Sequence, residues 1–206
     1  MPIVFFIYFY LNSKRLTSAG IAFLVFASLF FYSWWNIIYL PLILASILFN
    51  FVMGNYLSKP RKALNKKTFL WFGVGANLSL LAYFKYTDFL LDNFNGIFGA
   101  SIPLPHIILP LGISFFTFTQ IAYLVDCYKD KVKEYDFIRY ALFVTYFPHL
   151  LAGPILHHSE MMPQFANLRN KTKNYRNIAM GLFLFSIGLF KKVVIADTFA
   201  IWANAV

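Results

Sequence analysis

The chain has 206 residues, 60% of them hydrophobic and 21% aromatic, with only 13% charged, about half the charged share of a soluble domain. The net charge of +10 comes from short Lys and Arg clusters between apolar runs (Lys14-Arg15, Lys59 to Lys67, Lys129 to Lys133, Arg169 to Arg176, Lys191-Lys192); this is how cytoplasmic flanks of membrane spans are marked, and no nucleic-acid-binding motif accompanies them. The single cysteine, Cys127, excludes an internal disulfide and a CxxC-type metal site.

Met1 to Leu11 is apolar but short for an ordinary span. No basic region precedes it, so no cleavable signal peptide is expected. Leu16 to Ser58 contains no Asp, Glu, Lys or Arg. One helix of that length would reach about 60 Å, twice the roughly 30 Å hydrocarbon core, so the stretch must fold back. The turn falls at Ser33-Trp34-Trp35-Asn36, because Trp favours the interface, and the spans fall near 18–34 and 37–57. A further span covers 68–84 and ends at Lys85-Tyr86. Pro103, Pro105 and Pro110 cut the next uncharged stretch into a loop, to about Ile108, and a helix over 109–127. Spans near 137–155 and 178–194 follow, and Thr198 begins another element. The expected fold is all-α, a polytopic transmembrane helix bundle forming a single membrane domain in the inner membrane.

Orientation follows from the basic loops. With 12–17 and 58–67 in the cytoplasm, loop 85–108 lies outside and loop 128–136 inside. Simple counting then puts Arg169 to Arg176 outside, against the rule. Pro148 resolves the conflict, since it removes a helix hydrogen bond and crowds the carbonyl of Val144. A broken or re-entrant segment near Pro148–Pro154 would return the basic loop to the cytoplasm. Such backbone survives at membrane depth only when buried in protein or lining a wet cavity.

The run Phe147-Pro148-His149 to Gly153-Pro154, continuing to His157, His158 and Glu160, is costly for an inert helix. His149, Gly153 and Pro154 are candidates to line a cavity, because intramembrane ionisable residues are functional by default. For His149, a satisfied packing role is the alternative. His157 and Glu160, three apart, would share a helix face and could pair, or with His158 mark the membrane edge; a metal site is not expected. Ser114, Thr117 and Gln120 form a polar stripe that either glues helices or lines a channel. Asp126 closes that helix beside Lys129, as for an interfacial ion pair. Asp197 could pair with Lys192 or cap a helix starting at Thr198. No GxSxG, HExxH, P-loop or paired-carboxylate signature is present.

Four blocks occur in order: Phe84-Lys85-Tyr86; Pro110 to Phe118 with Tyr123-Leu124-Val125-Asp126; Phe147 to Pro154 continuing to Pro163-Gln164-Phe165; and Gly188 to Lys192 with Ile195-Ala196-Asp197. Together they resemble the membrane-bound O-acyltransferase superfamily, in its bacterial polysaccharide-acylating branch. The resemblance implies transfer of an acyl, chiefly acetyl, group from a cytoplasmic donor such as acetyl-CoA or an acyl carrier through a tunnel in the bundle. The acceptor would be a hydroxyl of an extracytoplasmic polysaccharide, reached with an extracytoplasmic acyltransferase partner. No bound cofactor is implied. Asp197 is the catalytic residue carried over. The resemblance places the family's catalytic histidine after the Ala196-Asp197 block and past Val206, so the chain alone is expected to be catalytically incomplete. A transporter or flippase of an acyl or lipid-linked group, and a non-catalytic scaffold, are the other classes consistent with the residues.

Overall fold

The computed structural model describes residues 2–59, 63–150, 153 and 156–203. Among these residues the chain is all-α, as expected of a membrane helix bundle. It divides into two compact units, residues 1–167 and 168–206. Among the described residues, three helical stretches are long and apolar enough to cross a membrane: Thr17–Trp35, Ile37–Ser58 and Tyr175–Ala203.

In the first unit, α1 (Pro2–Ser13) packs on α2 (Thr17–Trp35). The aromatic turn is where the sequence places it. Asn36 is extended, its side chain accepts the Ile38 N–H at 3.0 Å, and a 3-10 turn leads into α3 (Leu40–Ser58). α4 (Ala63–Phe98) corrects two expectations at once. It does not end near 84 but runs for 36 residues, about 54 Å, so residues 85–98 are helix and not loop. Nothing between Lys85 and Asn95 breaks a helix. The loop that remains lies back along α4: the Asp88 carboxylate accepts the Ile107 N–H at 3.0 Å, and Asn95 bonds both backbone groups of Ile102.

α5 (Ile113–Tyr128) starts later than the sequence suggests. Pro110 to Gly112 form a turn first, with Gly112 left-handed at φ 64°. α5 is the central element and packs on α3, α4 and α6 (Phe137–Thr145). Two glycines permit the close approach. A Cβ on Gly54 of α3 would lie 2.3 Å from the Tyr123 ring, and one on Gly73 of α4 2.8 Å from Leu124. Small residues play this part where lipid supplies no hydrophobic drive between helices. A bidentate amide pair adds to it, Asn50 to Asn77 at 3.0 and 2.7 Å, fully enclosed between α3 and α4.

The expected span 137–155 is not one helix. α6 stops at Thr145, Tyr146 leaves the helical region (φ −50°, ψ 101°), and Phe147–Leu150 form one further turn, α7. Pro148 cannot continue the α6 ladder, because it has no N–H to donate to the Val144 carbonyl. α8 (His158–Ala166) follows. Contacts fix the direction of travel. Lys66 pairs with Asp130 at 3.4 Å, Ser58 Oγ donates to the Val132 carbonyl, and His157 meets Asp126 at 2.9 Å. The ends of α3 and α5 and the starts of α4 and α8 therefore share one end of the unit, the basic end. Tyr39 donates to the Ile108 carbonyl at 2.6 Å at the other. The chain enters with α6, turns at α7 and returns to the basic end by His157. The segment is re-entrant.

The second unit is one long helix preceded by a 3-10 turn (Leu168–Lys171). Asn174 caps it, accepting from the Arg176 and Asn177 N–H groups. α9 (Tyr175–Phe190), a π-helical turn (Lys191–Ala196) and α10 (Asp197–Ala203) are continuous.

Candidate functional site: the re-entrant segment and the bulged helix

His149 sits on the re-entrant turn, 7% exposed. Its ring lies 5.5 Å from that of Phe115 and 5.6 Å from that of Tyr146. Neither ring nitrogen has a partner among the described residues. Gly153 packs on it so closely that a Cβ would lie 2.5 Å from His149 Cβ and 2.8 Å from its carbonyl oxygen. Gly112 approaches from α5, where a Cβ would lie 3.1 Å from the Leu150 carbonyl. Pro154 lies outside the described residues.

The stripe on α5 divides. Gln120 is fully buried and bridges helices: its amide donates to Ser46 Oγ at 3.0 Å and its carbonyl oxygen accepts from Tyr140. Thr117 is buried with its hydroxyl lacking a partner among the described residues, and Ser114 is half-buried. So Gln120 acts as glue, while the stripe does not act as a unit.

The adjacent histidines have different surroundings. His157 is extended (φ −81°, ψ 141°) and stands just before α8, so it shares no helix face with Glu160, which is exposed. Its Nδ1 lies 2.9 Å from the carboxylate of Asp126, whose side chain is only 6% exposed. Asp126 thus pairs across the fold and not with neighbouring Lys129. His158 is buried between Tyr123 and Phe143. Its Nε2 is 3.4 Å from Glu134, within ion-pair reach but off the line of a hydrogen bond. Burial raises the Glu134 carboxyl, but His158, the Asp136 N–H that it accepts and Arg139 outweigh burial and hold it below the usual glutamate range. The pairing stabilises the fold fully above the ordinary glutamate value of about 4.3 and is lost as pH falls through the lowered one. Between about pH 6 and about pH 3, wild type should lose more of its thermal midpoint than Glu134→Gln. Equal losses in the two proteins would remove Glu134 from the account.

In the second unit, Asp197 pairs with Lys192. The other expectation for it, a cap on a helix starting at Thr198, is corrected. Asp197 is helical (φ −70°, ψ −33°), and its N–H donates to the Lys192 carbonyl, closing the π turn. Five residues of α-helix set side chains about 140° apart, so the wider turn is what lets Lys192 and Asp197 meet. Such bulges are frequent at functional sites.

Sequence reasoning missed Ser46, Asn50, Asn77 and Glu134. Asn50 and Asn77 did carry a signal, as amides inside uncharged apolar runs, but nothing in the sequence pairs them.

The model of the MBOAT, membrane-bound O-acyltransferase family, matches residues 24–203. Among curated proteins, the peptidoglycan O-acetyltransferase of Helicobacter pylori is 50% identical over 88% of this chain and 39% of its own length. The probable alginate O-acetylase AlgI of Pseudomonas putida is 36% identical over 99% of the chain and 42% of its own. That of Pseudomonas aeruginosa is 37% identical over 98% and 39%. The chain thus spans about two fifths of the length of these relatives. No solved structure matches it. A family match over most of the chain, with relatives this similar, means that the chain belongs to the membrane-bound O-acyltransferase family.

Proposed function

We propose that this chain forms part of an inner-membrane O-acyltransferase that passes an acetyl group from a cytoplasmic donor to hydroxyls of an extracytoplasmic polysaccharide. The observation that carries the reading is the re-entrant segment, which brings a buried histidine with no partner among the described residues deep into the bundle from the basic end. A group delivered there is shielded from water, and acyl transfer needs that shielding to compete with hydrolysis. The basic end is the cytoplasmic one by its Lys and Arg content. The names of the relatives, peptidoglycan O-acetyltransferase and alginate O-acetylase, support acetyl as the group and a polysaccharide as the acceptor. The donor would be a thioester such as acetyl-CoA or an acyl carrier, and a soluble extracytoplasmic acyltransferase the partner. Asp197, on the π turn and held by Lys192, is the residue of this chain assigned to the catalytic machinery.

The test is to express the full reading frame containing this chain in a strain deleted for it and measure O-acetyl groups on the envelope polysaccharide. Wild type should restore them, and Asp197→Asn should reduce them at least tenfold at equal protein level. Label from a cytoplasmic acetyl thioester that crosses membrane vesicles without reaching a polysaccharide hydroxyl would overturn this reading in favour of transport.

A further inference from the structure

One strip of α5 faces the re-entrant segment. Phe115 meets His149 at one end and Asp126 meets His157 at the other. Thr119 and Ala122 fall between them on the same face, four and seven residues along from Phe115. From Asp126 to Phe115 the strip measures about 16 Å. α2 gives the same depth independently. The Phe147 N–H donates to Ser28 and its ring packs on Phe31, and Ser28 lies about 16 Å along the helix from Thr17. His149 therefore stands about half a hydrocarbon thickness from the basic end.

The polar groups change with depth along this strip. At the mouth they are satisfied: Asp126 holds His157, whose side chain is 52% exposed. Further in they are not. Thr119 Oγ1 and both nitrogens of His149 are buried without a partner among the described residues. In the same bundle the amides of Asn50, Asn77 and Gln120 are paired, while the hydroxyls of Tyr32, Thr117 and Tyr123 also lack a partner among the described residues. Each orphaned group is destabilising, and a ligand presenting the complementary atom would offset that cost. A neutral imidazole offers one N–H donor, and the surrounding walls, Phe115 and Tyr146, are aromatic. A donor in an apolar wall suits a carbonyl oxygen on an otherwise apolar group, and an acetyl group is one.

We propose that His149 donates a hydrogen bond to the carbonyl oxygen of the donor thioester, which approaches from the Asp126–His157 end. The proposal rests on the acyl-transfer reading above. In the reaction the acceptor hydroxyl oxygen attacks the carbonyl carbon, and the C=O electron pair moves onto the oxygen held by His149. That pair then returns, the C–S bond breaks, and the thiolate leaves with the sulfur pair and takes up one proton, matching the one the hydroxyl gives up. His149 itself neither gains nor loses a proton.

The experiment compares wild type, His149→Leu and His149→Gln in the full-length protein, in membranes for acetyl transfer from an acetyl thioester and in detergent for thermal midpoint. Loss of one such donor in a water-excluded site costs about 100-fold or more in kcat. His149→Leu should show that loss with a thermal midpoint no lower than wild type, because it removes an unsatisfied group. His149→Gln, which keeps an N–H, should recover most of the rate. A Leu variant as active as wild type overturns the proposal and leaves acyl transfer standing. So does a Leu variant whose rate and midpoint fall together with Gln giving no rescue, the signature of a packing role. An inactive wild-type protein overturns both.

Discussion

Gly54→Ala is expected to lower the thermal midpoint of the solubilised protein by about 6–12 °C, the equivalent of about 3 kcal/mol for a chain of this size. The added methyl group would meet Tyr123 Cε1 at 2.3 Å and Cζ and Oη at 2.7 Å. Tyr123 has no room to retreat. It is fully buried, with Tyr140 at 4.5 Å and His158 at 5.5 Å from its ring. The clash must therefore part α3 from α5, and α5 carries Phe115 and Asp126, which hold the re-entrant segment. Removing the obstacle should reverse the effect. Gly54→Ala combined with Tyr123→Leu should be more stable than the sum of the two single changes allows. A Gly54→Ala protein with an unchanged midpoint would show that the helices do not approach as closely as described.

Asn50→Leu or Asn77→Leu alone should cost about 1–2 kcal/mol, while the double replacement costs less than the two single losses added. Each amide both donates to and accepts from the other, and each also donates to its own helix, Asn50 to the Ser46 carbonyl and Asn77 to that of Gly73. Replacing one leaves the other desolvated with an empty acceptor. Replacing both leaves two apolar surfaces in contact. The asymmetry between breaking a buried polar pair and deleting it is the property being tested. It is read from thermal midpoints of the four proteins, and strictly additive losses would mean that the pair contributes nothing as a pair.

The elements with the strongest local signals were legible in the sequence. Charge-free runs gave α2 and α3 and the aromatic turn between them, and Pro148 gave the break after α6. Positive-inside counting also reached the re-entrant path, because the basic residues at 169–176 would otherwise face the wrong way. What failed was whatever depends on partners. The end of α4 was misjudged because Lys85, Asp88 and Asp92 read as a water-exposed loop, while a helix carries such residues with no difficulty. Asp126 was assigned to Lys129 beside it, and its partner lies 31 positions away, at His157. His157 and Glu160 seemed to share a face only on the assumption that the helix had already begun. Asp197 read as a cap because a π turn leaves no mark in the sequence.

The re-entrant hairpin also constrains how the molecule is made. α6 has nine residues, fewer than half of the roughly 20 that a translocon can release sideways into lipid as a span. Its docking sites were synthesised long before it: Phe147 bonds to Ser28, 119 positions earlier. The hairpin can settle only after α2, α3 and α5 have been inserted and assembled, so its placement belongs to the second, association stage of membrane-protein folding. A chain that fails to complete this stage would lack the turn that carries His149 into the bundle.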